Sequence, residues 1–199
     1  MPEVTKPFNV STGPATKNNQ TIDGEFYDTV YYTGDYKVSQ LKGRIYIDGS
    51  ARILVTSKID FKDGSGDEDG IDIADSGRLE IYMEGKDAKL VGRKNKKKNP
   101  LSEQTGFNAD GNTTNFYYFG LDKNTKLDLS KIDKFSGIIY APSAEVTLKA
   151  GSVKYYRCEV HGSIQGKKVK MEKNAHLHYD ENIGSLPADS FVVESWKEI

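Results

Sequence analysis

Two histidines and an aspartate near the C-terminal end of the chain have the side chains and the spacing of a metal site. His176, His178 and Asp180 occupy every second position, so a β-strand would project all three toward one face. Imidazole nitrogens and carboxylate oxygens are ligands that zinc and related divalent metals prefer. Glu159 or His161, one structural repeat earlier, could supply a fourth ligand. The alternative, which we favour, is that these residues are exposed polar positions on the last strand of the fold.

The acidic stretch Asp63–Asp75 (DGSGDEDGIDIAD) is a second candidate site. Clustered aspartates in glycine-rich turns suit calcium, which takes oxygen ligands. The EF-hand pattern fails, because Glu68 stands where that loop requires glycine and no glutamate closes the loop. An irregular calcium loop through Asp67, Asp69 and Asp72 stays open, but a solvated acidic turn is the favoured interpretation.

The basic run Arg93–Lys98 (RKNKKK) could bind an anionic polysaccharide, a lipid headgroup or a nucleic acid. The 199 residues carry 28 Lys and Arg against 29 Asp and Glu, a formal net charge of −1. This balance argues against a nucleic-acid partner, and we interpret the run as a solvated turn. The longest stretch without a charge, Gly111–Leu121, is far shorter than the roughly 20 apolar residues of a membrane helix. We expect no membrane span in this chain.

Motifs of enzymes are missing from the sequence. It has no Gly-x-Ser-x-Gly nucleophile elbow and no phosphate-binding or dinucleotide-binding glycine pattern. Its acidic residues concentrate in one turn, whereas a glycosidase needs carboxylates that face each other across a cleft. The single cysteine, Cys158, excludes internal disulfides and alternates with apolar neighbours, as a small core residue does. We assign no catalytic residue, no cofactor and no metal ligand, and expect a protein that is not an enzyme.

The elements that must position these residues are predicted to be β-strands. Short runs such as Arg44–Ile47 and Leu79–Met83 alternate apolar and polar residues between Gly, Asp and Asn. A helical apolar stripe is suggested only in the tail, by Phe191, Val192 and Trp196. We expect that tail to cover one end of the fold or to lie along its side.

Matches at intervals of 20 to 25 residues suggest a repeating unit. Gly137-Ile138-Ile139 recurs 25 positions later as Gly162-Ser163-Ile164, and Val146-Thr147-Leu148 recurs 23 positions later as Val169-Lys170-Met171. Intervals of 24 positions separate Ile47 from Ile71 and Val55 from Leu79. Such spacing is typical of a β-solenoid, whose units bury their apolar faces by stacking.

An antiparallel sandwich is the competing all-β architecture. The best sign of its hairpins is Asp48-Gly49, which lies between two alternating runs. We favour the solenoid and divide the chain into a polar leader at 1–22, a β-helix domain at 23–183 and a C-terminal cap segment at 184–199.

Two groups of aromatic residues exceed what a narrow core needs. They are Tyr27, Tyr31, Tyr32 and Tyr36, and the run Phe116, Tyr117, Tyr118 and Phe119. Exposed rings could bind sugars, or they could cap the open end of a solenoid. For residues 25–38 we favour a cap.

The C-terminal half carries the most specific pattern. Phe135–Pro142 (FSGIIYAP) is followed by Ala144–Leu148 (AEVTL), His161–Met171 (HGSIQGKKVKM) and Asn174–Glu181 (NAHLHYDE). Tyr46–Ser50 (YIDGS) and Gly77–Gly85 (GRLEIYMEG) add two weaker elements. Across residues 43–181 the chain resembles a bacterial envelope family found downstream of pilin-type (PilX-like) N-terminal segments, with the shared ending YAP…HYDE.

The resemblance implies a right-handed parallel β-helix that serves as a surface or pilus-associated module, and it implies no catalytic residues. We therefore expect a structural or adhesive protein outside the cell or on its surface, with envelope or pilus proteins or surface glycans as partners. Two alternatives stay open: a carbohydrate-binding or polysaccharide-degrading β-helix, and a self-polymerising β-helical scaffold.

Overall fold

Strands dominate the chain, and the predicted all-β class is confirmed. The computed structural model describes residues 15–61, 70–91, 106–109, 111–130, 132, 134–150 and 158–181. Within these ranges lie β1 (Lys17–Ile22), β2 (Glu25–Leu41), β3 (Arg44–Asp60), β4 (Gly70–Ile73), β5 (Arg78–Met83), β6 (Asp87–Val91), the short 3-10 helix Thr113–Asn115, β7 (Phe116–Gly120), β8 (Lys126–Ser130), β9 (Lys134–Lys149), β10 (Cys158–Glu172) and β11 (Ala175–Tyr179). None of the helical residues in these ranges forms a segment with the length and apolar character of a membrane span.

Parallel pairing organises the sheet. Among the named strands, only β1 and β2 pair antiparallel. The main path runs β1-β2-β3-β5-β7-β9-β10-β11, and a second path from β3 through β6 and β8 returns to β9. The two paths together close a circuit. This arrangement excludes the antiparallel sandwich, whose strands are joined by hairpins.

The long strands divide into segments that pair with different partners. In β3, residues 44–47 pair with β4, residues 50–55 with β5 and residues 59–60 with β6. We name the three resulting sets of pairings ladder A (β4 and β11), ladder B (β5 and β7) and ladder C (β6 and β8). The strands β2, β3, β9 and β10 contribute a segment to each ladder. One passage of the chain through the three ladders is called a row. The described residues contain six, which in chain order are β2, β3, β4 to β6, Phe107 with β7 and β8, β9, and β10.

Inward-facing apolar side chains stand in columns across the rows. In ladder B, Tyr36, Ile53, Ile81, Tyr118 and Ile139 follow one another in register. Each of these five side chains is at most 3% exposed. Because the side chains of a strand alternate between its two faces, the neighbouring positions form outward columns.

Opposite charges meet in an outward column of ladder C. Asp87 pairs with Lys126, Lys126 with Glu145, and Glu145 with Lys168. Lys170 also places its Nζ 2.6 Å from a carboxylate oxygen of Glu145. Such exposed pairs stabilise only weakly, but like charges on adjacent strands would oppose the register.

The two later repeats of the sequence are confirmed by the register. Gly137 pairs with Gly162, and Val146 pairs with Val169. The two matches at 24 positions are wrong, because Ile47 pairs with Ile73 and Val55 with Met83. The predicted registers are wrong by two and four residues. A shift by an even number of residues keeps each side chain on the same face of its strand, so the alternation fits either register.

Asp48-Gly49 does not form a hairpin. Both residues lie inside β3, at the point where the strand passes from ladder A to ladder B. The backbone of Gly49 has a φ of +102°, a conformation that glycine adopts easily. The sequence signal for a turn therefore marks a bend within a strand.

The N-terminal edge differs from the expected cap. Residues 25–38 belong to the first row, where Tyr31 and Tyr36 enter the core with ring centroids 4.9 Å apart. The antiparallel strand β1, inside the predicted leader 1–22, lies along that row. The predicted C-terminal cap at 184–199, with Phe191, Val192 and Trp196, lies outside the described residues.

A buried polar side chain connects the third and fourth rows. Asn124 is fully buried, and its Oδ1 accepts a 2.9 Å hydrogen bond from the hydroxyl of Tyr118. Its Nδ2 donates to the carbonyls of Gly85, Lys86 and Lys126. Burial raises the pKa of Tyr118 well above its usual value. The hydroxyl therefore stays a donor, and the network satisfies polar groups inside the core.

Replacing Gly162 by alanine tests the close approach of two rows. A Cβ at Gly162 would lie 1.9 Å from the carbonyl oxygen of Gly137, and the φ there is +133°. We expect G162A to lower the free energy of unfolding by about 3 kcal/mol, through backbone strain and steric overlap. The matched control is G24A, where φ is +87° and nothing lies within 4 Å of an added Cβ; it should cost about 1 kcal/mol. Equal losses in urea unfolding would contradict the register.

Candidate functional site

The last two strands of ladder A place the histidines of the chain side by side. His176 and His178 lie on β11, and Glu159 and His161 lie on β10. The register pairs Glu159 with His176 and His161 with His178. Cys158 and Val160 on β10 are buried, so alternation turns the acidic residue and the histidines outward.

Three of these side chains form one compact group, Glu159, His161 and His178. One nitrogen or oxygen from each lies within 4.8 Å of the other two. The rings of His161 and His178 stack, with centroids 4.6 Å apart and planes inclined by 18°. A carboxylate oxygen of Glu159 lies 4.0 Å from Nε2 of His161. Neutral imidazoles and a carboxylate at these distances are a donor set for a divalent transition metal.

The surroundings favour the neutral form of His161. Burial lowers its pKa below the usual value, and the positive charges of Lys134 and of a protonated His178 lower it further. The carboxylates of Glu159 and Asp180 act in the opposite direction but with less effect. A neutral imidazole keeps one ring nitrogen with a free lone pair, which a metal or a hydrogen-bond donor can use.

The structure brings together a different set from the one suggested by spacing along a single strand. Asp180 does not join the group: one of its carboxylate oxygens accepts a hydrogen bond from Thr113 Oγ1. His176 stacks on His178 at a centroid distance of 6.4 Å but also lies outside the group. Glu159 and His161, suggested only as a source of a fourth ligand, are both members.

One signal in the sequence bears on this arrangement. Glu159-Val160-His161 and His176-Leu177-His178 share the pattern polar, apolar, histidine, and the register aligns them. The two segments are separated by 17 positions, whereas the other repeats are separated by 23 to 25 positions. Spacing alone therefore does not align them. The contribution of Thr113, which is 67 positions from Asp180, carries no signal in the sequence.

The acidic and basic stretches lie largely outside the described residues. Asp67 and Asp69 of the proposed calcium loop, and the whole of Arg93–Lys98, fall there. Asp72 is described: its carboxylate accepts a 3.0 Å hydrogen bond from the hydroxyl of Tyr27 and lies 3.4 Å from the guanidinium of Arg44. Its contacts are those of a structural ion pair.

The second aromatic group divides between the two faces of β7. Phe116 and Tyr118 are buried in the core. Tyr117 and Phe119 alternate outward, and Phe119 stacks on Tyr82 with ring centroids 4.8 Å apart. Arg78 lies over the ring of Tyr117, 4.3 Å from its centroid. These outward rings contact one another and a cation, and little of their surface is open: Tyr82 and Tyr117 are 8% and 6% exposed.

Comparison with known proteins places the chain in one family. The family model described as a domain of unknown function, DUF7305, matches residues 14–186 of the 199. The chain belongs to this family. The matched region contains all of Glu159, His161 and His178. Neither the curated proteins nor the solved structures include a match to the chain.

The cysteine of this DUF7305 domain is a core residue, as its sequence neighbours predicted. Cys158 is fully buried, and its Sγ donates to the carbonyl of Leu129 at 3.4 Å. Burial raises the pKa of the Cys158 thiol to about 11. The thiolate is the reactive form of cysteine, so this residue is unsuited to nucleophilic chemistry.

Thiol labelling tests the environment of Cys158. At pH 8, three units below a pKa of about 11, only about 0.1% of the thiol is ionised. We expect a thiol-reactive dye to leave the folded chain unlabelled over hours, followed by full reaction of one thiol per chain in urea. Labelling of the folded chain as fast as that of free cysteine would contradict this placement.

Proposed function

We propose that this chain is a right-handed parallel β-helix that acts as a non-enzymatic structural or adhesive module on the surface of a bacterial cell, in association with pili. The observation that carries the proposal is the set of three parallel ladders whose apolar columns continue from row to row. A stack of such rows is a stiff element whose loops can vary without loss of the core.

The closed circuit of pairings has two explanations. A barrel of β3, β5, β7, β9, β8 and β6 would produce it, and so would a solenoid in which β3 and β9 each contribute to ladders B and C. The solenoid also explains why β2 and β10 pair with whole neighbouring rows. Right-handed winding is supported by the strong preference of parallel strands for right-handed crossovers.

The C-terminal end of the stack supports a partner-binding role. Val169 and Met171 continue the inward columns of Val146 and Leu148 into the sixth row. Both are exposed, at 39% and 49%, whereas Val146 and Leu148 are fully buried. Since β11 pairs only with residues 158–162 of β10, these two side chains form an apolar patch that we name the open end. Envelope or pilus proteins are the partners we propose for it.

The motif resemblance and the chemistry of the core support a location outside the cell. The YAP sequence Tyr140–Pro142 lies within β9, and the HYDE sequence begins at the end of β11 with His178 and Tyr179. Columns of apolar side chains hold the rows together without disulfides. The buried, protonated thiol of Cys158 is protected from an oxidising environment.

Two other functions are retained as alternatives. A carbohydrate-binding or polysaccharide-degrading β-helix is favoured by the outward rings of Tyr82, Tyr117 and Phe119, although their limited exposure leaves little surface for a sugar. A self-polymerising scaffold is favoured by the open end, since a second copy could extend the exposed strand β10.

The experiment compares the wild-type chain with V169K/M171K in the native host. We expect wild-type protein to be cut by protease added to intact cells and to co-sediment with sheared pili. The two lysines place charges on the apolar patch, so this variant should fold but lose co-sedimentation. K168A, on the outward face of the same strand, is the matched control and should behave as wild type.

Each outcome bears on one of the functions. Protease protection in intact cells contradicts a surface location, and co-sedimentation unaltered in V169K/M171K contradicts binding through the open end. Concentration-dependent oligomers of purified wild type that the variant abolishes would favour the scaffold. Retention on acidic polysaccharides that is lost in Y117A and F119A would favour the carbohydrate function.

A further inference from the structure

We propose that Glu159, His161 and His178 form a zinc site that joins the last strand, β11, to the sixth row. The proposal is independent of the surface function above. It rests on the cross-strand group of donors and on their partial exposure to solvent.

Strand pairing sets the geometry of this group. His161 and His178 occupy directly paired positions of adjacent parallel strands, where the backbones are about 4.8 Å apart. Two ligand nitrogens on a tetrahedral zinc ion are about 3.3 Å apart. The donor atoms, now within 4.8 Å of one another, therefore need to close by about 1.5 Å, a distance that side-chain rotation provides.

The exposure of the three side chains permits this movement. The side chains of His161 and Glu159 are 35% and 28% exposed, and His178 is exposed. None of the three is fixed in the core, so binding costs side-chain entropy but no repacking of apolar residues. The backbones that carry them are held by the strand pairing of β10 with β9 and with β11.

The donor set selects the class of metal. Two imidazole nitrogens and one carboxylate are typical of zinc, whereas calcium and magnesium prefer oxygen ligands. Three protein ligands leave a fourth tetrahedral position for water or for a donor group of a partner protein. The carboxylates of Glu159 and Asp180, which act on His161, favour a cation at this place.

The bound ion would link β11 to β10. The five pairs that β11 makes with β10 are its backbone attachment to the sheet. An ion ligated from both strands adds a link that is absent from the unfolded chain, so zinc should raise the thermal stability of the protein.

The test is a titration of the untagged, metal-stripped full chain with zinc ions alone. We expect one equivalent to bind, and the Tm to rise by roughly 5–10 °C at a free zinc concentration of 100 times the Kd. Cobalt substituted for zinc should give the visible absorption bands of a tetrahedral ion. Absence of saturable binding would overturn the proposal.

Four variants distinguish the cross-strand group from other arrangements. H161A and H178A should each weaken zinc binding by more than about 100-fold, because loss of even an outer partner of a ligand typically costs 10–100-fold. E159Q, which keeps the shape of the side chain, should also weaken binding. H176A is the matched control and should bind zinc as wild type does.

The Tm of each variant without metal shows whether that variant folds as wild type does. If a histidine variant does not fold, the loss of zinc binding in E159Q tests the proposal instead. Strong loss in H176A with none in H161A would assign the metal to the single-strand set His176, His178 and Asp180 instead. Equal affinity in all four variants would show adventitious binding. Either result overturns the proposal.

Discussion

The constraint on which this structure depends is that the apolar side chains of paired strands stand in register, so that each strand extends the apolar columns of its neighbours. Ile81, for example, pairs with Ile53 on one neighbouring strand and with Tyr118 on the other, and burying such a side chain contributes roughly 1.5–3 kcal/mol. In-register pairing follows, because a shift of one residue would turn the apolar side chains of a strand to its opposite face. Close approach of the backbones follows too, and Gly137 opposite Gly162 meets it where a side chain would not fit.

The same constraint bears on both edges of the described sheet and on the candidate site. At the N-terminal edge Tyr31 and Tyr36 of the first row enter the core, and β1 pairs along that row. At the other edge of the described residues β11 pairs with only part of the sixth row, and Val169 and Met171 of that row are exposed. Where β11 does pair, its register brings His178 against His161. The open end and the proposed metal site therefore both lie on the sixth row, the first where β11 does not pair and the second where it does.

Much of the fold could be predicted from the sequence, and the reasons are local. Alternation identified the strands, and repeats with glycine or paired aliphatic residues, such as Val146 and Val169, gave the correct register. The two matches at 24 positions gave the wrong register, because shifting one strand against another by an even number of residues leaves the alternation of apolar and polar side chains unchanged. Asp48-Gly49 indicated a turn but could not show whether the chain reverses or only bends.

The candidate site was predictable in composition but not in arrangement. Spacing along one strand grouped His176, His178 and Asp180, whereas the contacts that matter cross from β10 to β11. That alignment depends on a separation of 17 residues between His161 and His178, shorter than the repeat elsewhere. The hydrogen bond from Thr113 that holds Asp180 comes from a distant part of the chain, which no local pattern reveals.

We propose that the rows stack in an open series rather than close into a barrel. Spin labels at Lys168 in the sixth row, combined in turn with Lys58 in the second and Gln40 in the first, test it most directly. An open stack predicts backbone separations of about 19 Å and about 24 Å, four and five strand spacings; separations that do not grow with the number of rows would contradict it.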